Sequence, residues 1–209
     1  MSVNKVKAPA ILGVEDGRIP PKGITYALLA GVLLKKFKIK DLRLTLIQVD
    51  GLDATLKLLE MVAPIKSKID MIMLGGVSFA GFNLIDPVAI HEELKVPIIV
   101  ISKDKPNNEE VYRALVKHFN DWTARWSVFE KLSRTSKIYE VVSNPKERPI
   151  YVEVVGISAE EASSIIRSVT IWGRLPEPIR AANLVAKGLS SLFLSEAKLR
   201  DFKTLQIDE

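Results

Sequence analysis

Three apolar runs follow one another near the start of the chain, with gaps too short for a crossover helix. They are APAILGVED at 8–16, the stretch 24–37, and LRLTLIQV at 42–49. Parallel neighbours need a long connection, so consecutive runs this close favour antiparallel pairing. Pro20, Pro21 and Gly23 mark the first turn. The hydrophobic period then changes. In DATLKLLEMVAPIK, Leu52, Leu56, Leu59 and Val62 or Ala63 recur at helical spacing, with Asp53 in an N-cap position.

The remaining elements alternate. A short strand is expected at Asp70–Leu74, a helix at Ile85–Leu94, and a strand at Pro97–Ser102, whose unbroken apolar character suits burial on both faces. One long helix is expected from about Glu109 to Leu132, with Val111, Leu115, Phe119, Trp122, Trp126 and Phe129 as a core stripe. Ile138–Val142 and Ile150–Val155 read as a hairpin turning at Asn144, Pro145 and Lys146. Ser158 and Glu161 form a capping box, and a last helix follows Pro178. Three strands, a helix, a strand, a helix and a further strand is the order of a ribonuclease H-like α/β core. In that core the fourth and fifth strands lie parallel to the first. No repeat or linker divides residues 1–209, so one domain is expected.

Composition removes several chemistries. There is no cysteine, which excludes a disulfide framework, a cysteine nucleophile and a thiolate zinc site. Only His91 and His118 offer imidazole; the first reads as solvent-facing and the second as structural. There is no GxGxxG and no phosphate-binding P-loop. The opening stretch MSVNKVKAPAILG does not read as a signal peptide, and no run reaches membrane-spanning length, so a cytoplasmic protein is expected. A net charge of +5 is compatible with nucleic acid without requiring it.

What remains is carboxylates at strand ends. Glu15 and Asp16 end the first strand, Asp50 ends the third, and Asp53 opens the next helix. Strands one and three run the same way, which puts these acids on one sheet edge. A hard cation such as magnesium asks for carboxylate oxygens, water and phosphate in such a place. Each acid also has a plainer use: Asp53 as an N-cap, Asp50-Gly51 and Glu15-Asp16-Gly17 as turns.

Four blocks carry a family resemblance: ILGVEDG at 11–17, VDGLDAT at 49–55, IMLGGVSFAGFNLID at 72–86 and GRLPEPIRAANLVAKG at 173–188. Together they resemble an archaeal family related to endonuclease V, the endonuclease dU family, assigned to cleavage of DNA containing deoxyuridine. RLPEPIR is similar to the RxPEPxR segment of endonuclease V, and PIIVISK at 97–103 to its strand ending in lysine. The resemblance implies an endonuclease V-like mixed sheet with helices on both faces, and hydrolysis of phosphodiesters with Mg2+ or Mn2+. By position it implies Glu15 or Asp16 for the first-strand aspartate, Asp50 or Asp53 for the glutamate, and Lys103 for a lysine near the scissile phosphate. Endonuclease V has an Asp-Gly pair after its fourth strand, where this chain has Gly75-Gly76, so Asp86 is the nearest substitute ligand. Asn183 stands where an acid or histidine is usual.

In the same blocks, Phe79 or Phe82 could wedge against a base, with Asn83 beside them. The plainer reading packs both rings under a helix. The free N–H groups of the helix beginning in PEPIR, with Arg180, could hold a phosphate; otherwise Arg180 pairs with Glu177.

Overall fold

The computed structural model describes residues 8–18 and 25–204, with side chains in the last helix described as far as Leu192. The turn at Pro20, Pro21 and Gly23, and Ile24 with it, lie outside the described residues. Strand β1 (Ala10–Asp16) pairs antiparallel with β2 (Tyr26–Lys35), and β2 with β3 (Lys38–Gln48). Lys36 and Phe37 join β2 to β3, both at positive φ, the mirror-type turn whose twist suits a hairpin. Phe37 therefore leaves the strand expected to include it, and β3 begins four residues earlier than its apolar run.

Helix α1 (Ala54–Val62) ends in a 3-10 turn (Ala63–Lys68) that leads into β4 (Met71–Leu74). Two short strands, β5 (Ser78–Phe79) and β6 (Asn83–Leu84), make a small hairpin before α2 (Pro87–Leu94) and β7 (Ile98–Ser102). Strands β4 and β7 lie parallel to β1, as a ribonuclease H-like core requires. The expected long helix is two, α3 (Asn108–His118) and α4 (Trp122–Thr135). The break is local: Phe119 takes an extended conformation, and the Asp121 carboxylate turns back onto Arg125. Strands β8 (Tyr139–Val141) and β9 (Ile150–Val155) form the expected hairpin, followed by α5 (Ala159–Ser168), capped by Ser158, and α6 (Glu177–Thr204).

The main sheet runs β3-β2-β1-β4-β7-β9-β8. Alternation along each strand feeds two cores. Leu12, Val14, Leu74 and Val100 face α1, α2 and α4, whereas Ile11, Met73, Ile99 and Ile101 face α5 and the start of α6. Glycine lets α6 settle directly on the sheet: a Cβ on Gly13 would lie 2.0 Å from the Pro178 carbonyl oxygen. That close approach sets which α6 side chains overhang the end of β1. His91 is half-buried rather than solvent-facing, because its Nδ1 lies 2.8 Å from the Val96 carbonyl oxygen.

Candidate active site

The carboxyl ends of the parallel strands β1, β4 and β7 open into a cleft of about 430 Å³. Such a crevice is where α/β sheets take their ligands. Glu15 and Asp16 come from β1, Gly75 from the end of β4, Lys103 and Asp104 from just past β7, and Asn183 and Lys187 from α6. Leu175 and Ile179 form its apolar wall. Glu15 and Asp16 are adjacent on a strand, so their side chains leave opposite faces. Glu15 points to the α6 side, and Asp16 reaches across to accept from the Ala80 N–H at 2.6 Å.

Glu15 is only 9% exposed. Burial, then the neighbouring Asp16 charge, push its carboxyl up to about 7, while Lys103, Lys187 and the Asp16 backbone N–H pull it back. Burial also raises Asp16, opposed by the Ala80 N–H, its own backbone N–H and Lys187. The absent acid after β4 has a physical counterpart. A Cβ on Gly75 would come within 2.2 Å of Glu15 Oε1, so the Glu15 carboxylate fills the space that a side chain at position 75 would take. The space at the end of β4 thus holds a carboxylate that comes from β1.

The other expected ligands are not brought to this cleft. Asp50, at positive φ, accepts from the Phe82 N–H at 2.8 Å. Its own N–H bonds the Ala80 carbonyl. Ala80 therefore bridges Asp16 and Asp50 through its two backbone groups. Asp53 stands at the α1 N-cap but does not cap it; its Oδ1 accepts from Gln48 N–H and Asn83 Nδ2. Asp86 caps α2 through the Val88 and Ala89 N–H groups, and its other oxygen pairs with Lys131 at 2.8 Å. An acid whose lone pairs are taken by backbone donors and a lysine is a poor substitute ligand.

Three residues expected to touch nucleic acid are structural. Phe79 is buried in the core beneath the sheet. Asn83 is fully buried; its Oδ1 accepts from Ala54 N–H, serving as the cap that Asp53 does not provide, and its Nδ2 donates to the Gln48 carbonyl. Phe82 is half-buried, edge-on to Phe119 at 5.4 Å. Arg180 pairs with Glu177 and donates to the Trp172 carbonyl, in a hollow beside the cleft rather than in it.

Two residues that matter were not singled out from the sequence. Lys187 lies one helical turn beyond Asn183, a spacing that would have placed it on the same α6 face. Arg125, 4% exposed, donates to the carbonyls of Asp50, Gly51 and Phe82, pairs with Asp121, and lies 4.2 Å from the Phe119 ring centre. A lone arginine in an amphipathic stripe carried no signal of that role.

The sheet order and the acid-bearing cleft define a ribonuclease H-like protein of the endonuclease V type. Endonuclease V of Bacillus subtilis superposes with a TM-score of 0.60 at 13% identity, covering 90% of this chain and 83% of that one. Endonuclease V of Ciona intestinalis, in complex with DNA containing an inosine, superposes at 0.59 with 17% identity, covering 91% and 87%. These likenesses are of fold. The chain belongs to the endonuclease dU family, whose profile matches residues 7–190. A UPF0215 protein of Methanothermobacter thermautotrophicus is 36% identical over 183 residues, 86% of this chain and 87% of its own length. A protein of unknown function from Archaeoglobus fulgidus superposes at a TM-score of 0.73 with 29% identity, covering 85% and 95%. Among the described residues, no helix is long and apolar enough to cross a membrane.

Proposed function

We propose that this chain is a metal-dependent endonuclease that hydrolyses a phosphodiester in DNA carrying deaminated bases, deoxyuridine among them. The observation that carries the reading is the Glu15 carboxylate, buried over Gly75 beside Asp16 and facing two lysines at the ends of the parallel strands.

The residues fit a Mg2+ or Mn2+ ion of the kind held by one or two carboxylates and completed by water and substrate phosphate. Burial raises both carboxyls, the Asp16 charge adds to the rise at Glu15, and a cation held by these two residues would oppose both effects. Asn183 offers a neutral amide oxygen from the opposite wall. Bound there, the metal supplies a Lewis acid that lowers the pKa of water and offsets charge developing at phosphorus. Lys103 and Lys187 draw the phosphate into the cleft and balance its charge. Leu175 and Ile179 limit access of bulk water on the α6 side. With its pKa pushed up to about 7, the Glu15 carboxyl holds its proton into the neutral range, so a cation held there would have to displace it.

The test is nicking of DNA containing uracil or hypoxanthine by purified protein with magnesium or manganese, over a range of temperature. Metal-dependent strand breaks that disappear in Glu15→Gln support the reading; no break with any lesion rejects it. A second reading keeps nucleic-acid binding without chemistry. It is favoured by the donor set, since among the described residues no three histidine or acidic side chains gather as a metal group. It predicts salt-sensitive binding, unchanged in Asp16→Ala and Asp50→Ala, with no cleavage.

A further inference from the structure

Beside the cleft lies a second hollow of about 420 Å³, lined by Glu147, Trp172, Gly173, Arg174, Leu175 and Arg180. Leu175 lines both spaces, so they adjoin across its side chain. Trp172 is 71% exposed, the most exposed of the large hydrophobic residues described. An indole left in water forgoes the burial that usually stabilises it, so its placement asks for a partner.

The loop that carries it is not loose. Arg180 donates to the Trp172 carbonyl at 3.2 Å, and Ser143 Oγ donates to the Arg174 carbonyl at 2.7 Å. Arg174 donates to the carbonyls of Lys103 and Pro149, and Glu177 N–H closes the loop onto Val169. The backbone is pinned on both sides of Trp172 while its ring stays in solvent. Through Arg174, the same pins fix the loop to Lys103, a cleft residue.

The surrounding charge selects the partner. Lys103 and Lys187 border the cleft, Arg174 and Arg180 border the hollow, and Lys146 and Arg148 are exposed on the neighbouring β8–β9 turn. Apart from Glu15 and Asp16 in the cleft itself, the acids nearby are Asp104 and Glu177, paired with Arg174 and Arg180, and Glu147 at the hollow's rim. A rigid exposed aromatic within a basic surface is the arrangement that binds a backbone and stacks an unpaired base.

We propose that Trp172 stacks on a nucleobase of an unpaired or locally opened strand whose phosphate occupies the Glu15 cleft. This rests on the endonuclease reading for the phosphate's position, though not for the stacking. Base stacking on an aromatic tolerates any base, so Trp172 senses whether a base is free rather than which base it is. The substrate class is therefore single-stranded or opened nucleic acid.

The experiment uses the full chain without divalent metal. A short fluorescent single strand containing deoxyuridine is titrated against wild type, Trp172→Ala and Trp172→Phe, with an intact unmodified duplex as second probe. Alanine is expected to weaken single-strand binding about tenfold or more, with phenylalanine retaining most of the affinity and the salt slope unchanged. Intact-duplex binding changes less than twofold. Wild-type tryptophan emission falls on single-strand titration, and that fall is lost in Trp172→Phe. Alanine binding within twofold of wild type, or equal losses for both probes, overturns the proposal. Matching thermal unfolding of the variants shows the fold is intact. If the wild type never cleaves with metal yet shows the emission change, the endonuclease reading fails and the stacking stands. If it cleaves and Trp172→Ala alters neither affinity nor emission, the stacking alone fails.

Discussion

Two sets of acids lie at the same end of the sheet, and their surroundings differ. At the end of β1, Glu15 is buried with a raised carboxyl, faces a cleft, and has lysines as neighbours at a distance. At the end of β3, Asp50 and Asp53 spend their oxygens on the backbone of Phe82 and Gln48 and on Asn83. Asp86, further along, is spent on a helix cap and Lys131. The first set is costly to keep ionised and is not neutralised by its own contacts. The second set is satisfied. Proximity along a sheet edge does not make a ligand set; unsatisfied oxygen lone pairs do. Asp16 belongs partly to both, lining the cleft while holding Ala80.

The sharpest way to break this contrast is to neutralise one acid from each set. Glu15→Gln is expected to reduce metal-dependent cleavage by at least about a thousandfold, the scale of losing a metal's charge stabilisation. Asp50→Asn keeps an acceptor oxygen for the Phe82 N–H, and its cleavage rate should stay within a few-fold of wild type. Parallel rate measurements on the same uracil-containing strand compare the two directly.

Arg125 probes the structural side alone. Arg125→Leu leaves the carbonyls of Asp50, Gly51 and Phe82 without their donor and Asp121 without its cation. A loss of about 3–5 kcal/mol in denaturant unfolding is expected. A loss below about 1 kcal/mol would show that the β3 end is not held in this way.

The pH dependence follows chiefly from the two most strongly raised carboxyls, Glu15 and Glu153. Glu153, buried on β9, is also pushed up to about 7 by burial. In the unfolded chain both groups release their protons near 4.5, while the folded chain keeps them until about 7. Between those values the folded state binds more protons, so stability is full below about 4.5 and falls as pH rises through about 7. Each group contributes up to about 3 kcal/mol to that fall. Thermal unfolding of metal-free protein should therefore show a higher Tm at pH 5 than at pH 8. Glu153→Gln should remove part of the difference without changing cleavage. A Tm that rises from pH 5 to pH 8 would contradict both assignments.

The smallest expected effect is at Gly75. Gly75→Ala forces Glu15 aside by overlap with its carboxylate, and weaker metal affinity is expected with a stability loss of about 1–3 kcal/mol. Isothermal titration with manganese checks it.

Much of this fold could be read from pattern. Apolar runs and short gaps marked β1 to β3, and the unbroken apolar run at Pro97–Ser102 marked a strand covered on both faces. The alternation of side chains along β1 could have separated Glu15 from Asp16, since Leu12 and Val14 share the parity of Asp16 and Ile11 that of Glu15. The division of α3 from α4 was hidden because the apolar period runs on through Phe119. In one dimension a polar-aromatic binding loop and a two-residue hairpin look alike, so the sequence alone leaves Phe79 and Asn83 open to either use. Lys187 depended on the register of α6, which Gly13 sets through a contact with Pro178 that no local pattern records.

The most direct test of the central claim is manganese binding, followed by electron paramagnetic resonance, in wild type, Glu15→Gln and Asp50→Asn with an uncleavable single strand present. If the end of β1 holds the metal and the end of β3 holds the fold, Glu15→Gln loses bound manganese and Asp50→Asn keeps it. Manganese retained by Glu15→Gln and lost by Asp50→Asn would contradict that division.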